Sequence, residues 1–166
     1  SRGQPAAPGI GELDRIDRIC AANRLPELEQ CSFRIACDVS NPLLGEQGAV
    51  WVYGPQKGVR EEEKPVLDAK MLHFAEKTVE YTGKDCTNTP GAGAAGGLGF
   101  AFLSYFPEAR LQPGAELVLE ILGLEREIAE ADFVVTGEGR LDAQTSMGKA
   151  PAGIAQIAKK YGNREI

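Results

Sequence analysis

The sequence predicts an α/β fold with layered helices around a short, partly parallel sheet, and three stretches carry that prediction. Residues 61–82 repeat apolar side chains at helical spacing, with Leu67, Met71, Phe74, Thr78 and Tyr81 at offsets of four, three, four and three. "CSFRIACDV" (31–39) alternates and is β-branched enough for a short buried strand. "ADFVVTGEGRLDAQTSMGKAPAGIAQIAKKYG" (131–162) reads as strand, polar loop and helix in succession.

Along the chain, residues 1–11 are rich in Pro and Gly and read as a linker. Residues 12–130 form the body of a central α/β domain, and 131–166 a strand-loop-helix returning toward another domain. "GELDRIDRICAANRLPELEQ" is a polar, weakly helical connection. The strand of 31–39 ends at the turn formers of "SNPLLG", leaving Asp38 and Asn41 at its C-terminal end. "GEQGAVWVYGPQKG" fits helix or strand. Gly83 stops the helix of 61–82, and His73 lies nearly opposite Met71 on it, which makes it a solvated surface residue. A second helix is expected over 94–105 with Pro107 beyond its end, and a third in "QPGAELVLEILGL". "DFVVT" is a continuous apolar run of the kind that makes a buried strand. In the last helix Pro151 suits the first turn, and Pro151, Ile154, Ala155, Ala158 and Tyr161 share a face that ends at Gly162 and Asn163.

Composition limits the partners. A chain of 166 residues is about one domain and can bury roughly two thirds of its unfolded surface. No apolar run reaches the ~18 residues that a membrane span requires. A net charge of −6 and a pI near 4.9 speak against nucleic acid and anionic membranes, which call for a basic face. Cys20, Cys31, Cys37 and Cys86 show no C-x-x-C spacing, and with a single His they do not complete a common zinc site. Free thiols and a cytoplasmic location are expected, since no signal-like segment opens the sequence. The start without Met and the end "KKYGNREI", where a further strand should follow, point to a section of something longer.

Two motifs invite chemistry. In "NTPGAGAAGGLGFAF", Gly91, Gly93 and Gly96 satisfy G-x-G-x-x-G, the fingerprint of dinucleotide binding. That motif takes its meaning from an apolar strand running into the first glycine, and here the polar "TGKDCTNTP" precedes it. Close packing of a Gly- and Ala-rich helix is the other reading. The second motif is "GEGRLDAQTSMGK". Gly148 and Lys149 stand at a helix N-terminus, where orphan N–H groups and the dipole favour an anion. It is not a Walker A loop, since Ala143 replaces its first glycine and Ala150 its Ser or Thr. Arg140 and Lys149 with Glu138 and Asp142 are nevertheless a mixture that can hold phosphates together with a divalent metal.

"ACDVSNPLLGEQGA", "YGPQKG", "PGAGAAGGLGFA" and "TGEGRLDAQTSMGKAP", in this order and spacing, resemble the bacterial type I glycerate kinase family from about residue 12 to the end. Family members are longer, and the chain resembles their middle section. The resemblance implies one domain, or part of two, of a two-domain α/β kinase that transfers the γ-phosphoryl of ATP to a hydroxyl of D-glycerate with Mg2+. The matching positions are Asp38, Asn41, Gln56, Lys57, the glycines Gly91, Gly93, Gly96 and Gly97, then Glu138, Arg140, Asp142, Gly148 and Lys149. Phosphoryl transfer needs positioning and charge neutralisation above all. Lys57, Arg140 and Lys149 are therefore expected on the phosphates and the glycerate carboxylate, Asp38 on the attacking hydroxyl, and Asp142 or Glu138 on the metal, with roles that can be exchanged. A turn-capping role is the structural alternative for Asp38. The section by itself is expected to be inactive. A nicotinamide-binding oxidoreductase domain and a non-catalytic metabolite-binding module are the other classes the sequence leaves open.

Overall fold

A computed structural model describes residues 5–137, 150–162 and 164–165. The elements in chain order are β1 (Arg34–Ala36), α1 (Ala49–Tyr53), α2 (Lys64–Thr82), α3 (Ala94–Tyr105), β2 (Arg110–Gln112), α4 (Gly114–Ile121), α5 (Leu124–Glu130), β3 (Phe133–Val134), α6 (Ala150–Lys160) and β4 (Arg164–Glu165). Short 3-10 turns at Ile10–Arg15, Pro26–Gln30, Pro55–Lys57 and Glu61–Glu63 punctuate them. β1 pairs with β2, and β3 runs parallel to β4 with Phe133 opposite Arg164. Along the first pair, Arg110 donates to the Phe33 carbonyl and Cys37 to that of Gln112. These bonds climb both strands together, so this pair too is parallel. The expected α/β class with a short parallel sheet is what the chain adopts.

The chain divides into two compact units, residues 1–33 with 39–110 and residues 34–38 with 111–166. The first is organised by α2. Its N-terminal turn is fixed where Glu63 accepts the Arg60 backbone N–H (2.9 Å) and guanidinium (3.0 Å). Gly83 ends it in the left-handed conformation, donating to the Val79 carbonyl at 2.8 Å. Met71, Ala75 and Thr78 form its buried stripe, close to the one the periodicity predicts, although Tyr81 is exposed at its end. Thr78 satisfies its buried hydroxyl twice, on the Phe74 carbonyl and the Tyr105 hydroxyl, each at 2.9 Å. Phe100 of α3 closes the core edge-on to Phe74, and Phe33, Phe102 and Phe106 make a second aromatic group.

Two expectations change in this unit. The ambiguous 45–58 stretch is helical at α1, with Ala49 and Val50 buried. His73 is not a free surface group: it is half-buried, and its Nε2–H donates to the Ile16 carbonyl at 2.7 Å. With Lys70, which bonds Gly11 and Asp14, it ties the Ile10–Arg15 turn to α2, a long-range contact that helical spacing does not reveal.

In the second unit α4, α5 and α6 pack around Leu119, Ile128 and Ala158. Pro151 is buried as its place in the last helix predicts, and Gly153 sits against Leu119, where an added Cβ would meet Cδ1 at 3.2 Å. Glu125 draws in the α6 end by accepting from Lys160 (2.6 Å) and the Tyr161 hydroxyl (3.0 Å), which hold its carboxyl below the ordinary range. The strands depart from expectation. β1 is three residues with only Ile35 half-buried, and β3 is two residues, with Phe133 61% and Val135 80% exposed. α4 lies against β1, yet Arg34, Ala36, Arg110 and Phe133 are exposed on these two-stranded ladders.

Candidate functional site

The glycine-rich segment is built on left-handed backbone. The helix predicted over 94–105 is present, but Ala95 (φ 51°), Gly96 (φ 75°) and Gly97 (φ 100°) lie in the left-handed region inside its first turn, and regular helix follows them. Gly91 is left-handed as well (φ 86°). No strand runs into Gly91, since residues 84–93 are turns and extended links, so the structural condition for dinucleotide binding is missing.

The glycines answer different demands. Gly93 donates to the Asn41 carbonyl at 2.9 Å, and a Cβ there would run into the Pro42 carbonyl. A Cβ on Gly99 would strike the Gly91 carbonyl, and one on Gly97 would lie 3.0 Å from Leu43 Cδ1. These three serve close packing. Gly96 differs: a Cβ there would stand 3.4 Å from the Lys57 ammonium. Lys57 ends the 55–57 turn beside Gln56, both side chains are exposed, and among the described residues no carboxylate pairs with the Lys57 Nζ.

Asn41 anchors the same region. Its Nδ2 donates to the Gln47 carbonyl (2.8 Å), its Oδ1 accepts from the Tyr53 hydroxyl (2.7 Å), and its own carbonyl receives Gly93. Nearby, Leu43 donates to Thr87, whose N–H (2.9 Å) and hydroxyl (2.7 Å) hold the Asp85 carboxyl below the ordinary carboxylate range. Tyr53 carried no signal in the sequence beyond being a tyrosine twelve positions from Asn41. The first unit thus brings together Asn41, Gly91, Gly93, Gly96, Gly97, Gln56 and Lys57 on the 41–57 segment and the glycine turn.

In the second unit Asp38 follows β1 and is exposed. Its Oδ1 accepts the Gly114 N–H at 2.8 Å, and Gly114 is the first residue of α4. The carboxylate therefore caps a helix start, which favours negative charge. A side chain on Gly114 would crowd it, with a Cβ 3.2 Å from Oδ2. The structural alternative for Asp38 thus has a physical form, but on α4 and not on the turn at Pro42. Arg34 of β1 bonds Gln112 and forms an ion pair with Glu120, whose carboxyl it holds low.

Glu138, Arg140, Asp142, Gly148 and Lys149 lie outside the described residues. Among the described residues no group of three His, Cys, Asp or Glu could hold a metal ion, and no helix is long and apolar enough to cross a membrane.

Parallel strands joined through helices, with an acid beyond one strand and a lysine at a left-handed glycine turn, define an α/β protein whose polar groups gather at loops. Its family follows from comparison. The model of the glycerate kinase family matches residues 1–166, and the chain belongs to that family. It is 47% identical over 160 residues to a glycerate kinase of Halalkalibacterium halodurans, covering 96% of this chain and 42% of that one. A glycerate 2-kinase of Escherichia coli is 42% identical over 161 residues, with 97% and 42% covered. A crystal structure assigned to glycerate kinase 2 of Salmonella typhimurium LT2 matches with a TM-score of 0.90 at 39% identity, covering 99% of this chain and 44% of that one. The chain therefore spans less than half the length of these relatives.

Proposed function

We propose that the protein to which this chain belongs transfers the γ-phosphoryl of ATP to a hydroxyl of D-glycerate, in the cytoplasm, as a soluble enzyme of organic-acid phosphorylation. The observation that carries this reading is the family match across all 166 residues, which includes every block bearing a candidate site residue. The E. coli relative, by its name, favours the 2-hydroxyl as acceptor.

In the reaction the oxygen–phosphorus bond to the leaving ADP breaks, the substrate hydroxyl oxygen forms the new bond, and the hydroxyl proton passes to a base. Asp38 is the candidate for that proton. One of its oxygens is committed to Gly114, which fixes the carboxylate while leaving Oδ2 to face the hydroxyl. Lys57, exposed at the end of the 55–57 turn with its ammonium beside Gly96, is the candidate cation of the first unit for phosphate or for the glycerate carboxylate. Arg140 and Lys149 are proposed for the remaining charge, with Gly148 offering its N–H at the helix start. Asn41 and Gln56 are proposed to hydrogen-bond the glycerate, and the bare surface of Gly96 to admit an oxygen next to Lys57. Mg2+ bound with ATP would neutralise the phosphates. Glu138 and Asp142 are its candidate ligands, as carboxylates in the same block as Arg140 and Lys149.

Incubating the full-length protein with ATP and D-glycerate and following the product by phosphorus NMR tests this. A 2-phosphoglycerate signal is expected, and ADP formation that does not depend on glycerate would overturn the reading. The 166-residue chain alone is expected to be inactive, with activity returning on complementation by the remaining sequence.

A further inference from the structure

We infer that Tyr53 is a positioning residue that sets the Asn41 amide, and through it the glycine turn, for substrate binding; the inference rests on the proposed role of Asn41. The orientation of the amide is fixed by its partners. The Gln47 carbonyl can only accept, so the nitrogen of Asn41 must face it at 2.8 Å. That leaves Oδ1 to the Tyr53 hydroxyl, 2.7 Å away, which donates. Both ends of the side chain are held and the amide cannot flip. The backbone carbonyl of the same residue accepts the Gly93 N–H at 2.9 Å, where there is no room for a Cβ. A single hydroxyl from α1 therefore fixes one residue whose main chain fixes the turn leading to Gly96.

The remaining capacity of this amide defines what it can recognise. Nδ2 has a second N–H and Oδ1 a second lone pair. One donor and one acceptor on a rigid amide suit a small hydroxy acid, with a carboxylate or phosphate oxygen on the N–H and a hydroxyl on the oxygen. Without Tyr53 the amide turns about χ2, and that pair is presented only part of the time.

The test uses the full-length enzyme with Tyr53→Phe, which keeps the ring and removes only the donor. The KM for D-glycerate is expected to rise about tenfold, the scale of one hydrogen bond, while kcat and the KM for ATP stay within about twofold. A merely structural loss would instead lower the apparent kcat through the folded fraction, or raise the KM for ATP as well as that for glycerate. Asn41→Ala is expected to raise the glycerate KM at least as much, and adding Tyr53→Phe to it should change nothing further. An unchanged glycerate KM in Tyr53→Phe, with a raised one in Asn41→Ala, overturns the positioning role alone. An unchanged KM in Asn41→Ala overturns the proposed site, and the positioning role with it. Side-chain amide NMR reads the clamp without any substrate: the Asn41 Nδ2 signals should shift and exchange faster with solvent in Tyr53→Phe, and signals identical to wild type would refute the clamp.

Discussion

The two units bury themselves by different means. In the first, the largest fully buried side chains, Phe100, Leu43 and Thr78, close a core over which the glycine turn is drawn tight by backbone contacts. In the second, Leu119, Ile128 and Ala158 make a small core, while Ile121, Leu122, Phe133 and Val135 remain exposed. Where main chain touches main chain, glycine decides stability; where a few side chains fill the centre, each methylene counts.

Gly93→Ala should have the largest effect. The added carbon meets a carbonyl, which cannot swing away as a side-chain tip can, and a loss of about 3 kcal/mol is expected in urea unfolding. Native-state hydrogen exchange should show faster exchange in α2 and α3; an equal change in α6 would mean that the two units unfold as one and that the contrast between them does not extend to stability. Leu119→Ala is the converse probe, with an expected loss of about 2.5 kcal/mol read from exchange in α4 and α6.

How much of this could be read in the sequence depends on the range of the cause. α2, α4 and α6 follow from local periodicity and terminators, and they are where the pattern puts them. The left-handed run does not, because Ala95 is not a residue that announces positive φ. The Asp38 contact joins positions 76 residues apart, and no spacing rule reaches that far. The strands were expected to be buried because apolar runs read that way, whereas burial depends on what packs against them. The candidate site was legible as four blocks, yet the part from Glu138 to Lys149 lies outside the described residues.

Smaller effects sharpen the picture of the first unit. Ala95→Gly should stabilise the chain by about 1 kcal/mol, since the left-handed conformation costs alanine that much and glycine almost nothing; a destabilised variant would show that the Ala95 methyl contributes packing instead. The smallest concerns acid. Asp85 has its folded pKa lowered below the ordinary 3.8 by the Thr87 N–H and then its hydroxyl. Its contribution is therefore complete above that ordinary value and is lost as pH falls through the lower folded one. Thr87→Val removes the hydroxyl and keeps the N–H, so it should lower stability slightly at neutral pH, leave it unchanged below the folded pKa, and thereby flatten the acid limb of a stability-against-pH curve.

The chain has one tryptophan, Trp51 on α1, and the Lys64 ammonium sits 5.5 Å from its ring. Lys64 is itself buried and paired with Glu61. Because that indole belongs wholly to the first unit, its emission is a native optical label for one half of the molecule and blind to the other. Far-ultraviolet ellipticity, by contrast, sums the helices of both. Recorded on one sample, the two signals would act as a pair of clocks, coincident if the halves melt together and offset if they do not, with no dye or engineered probe required.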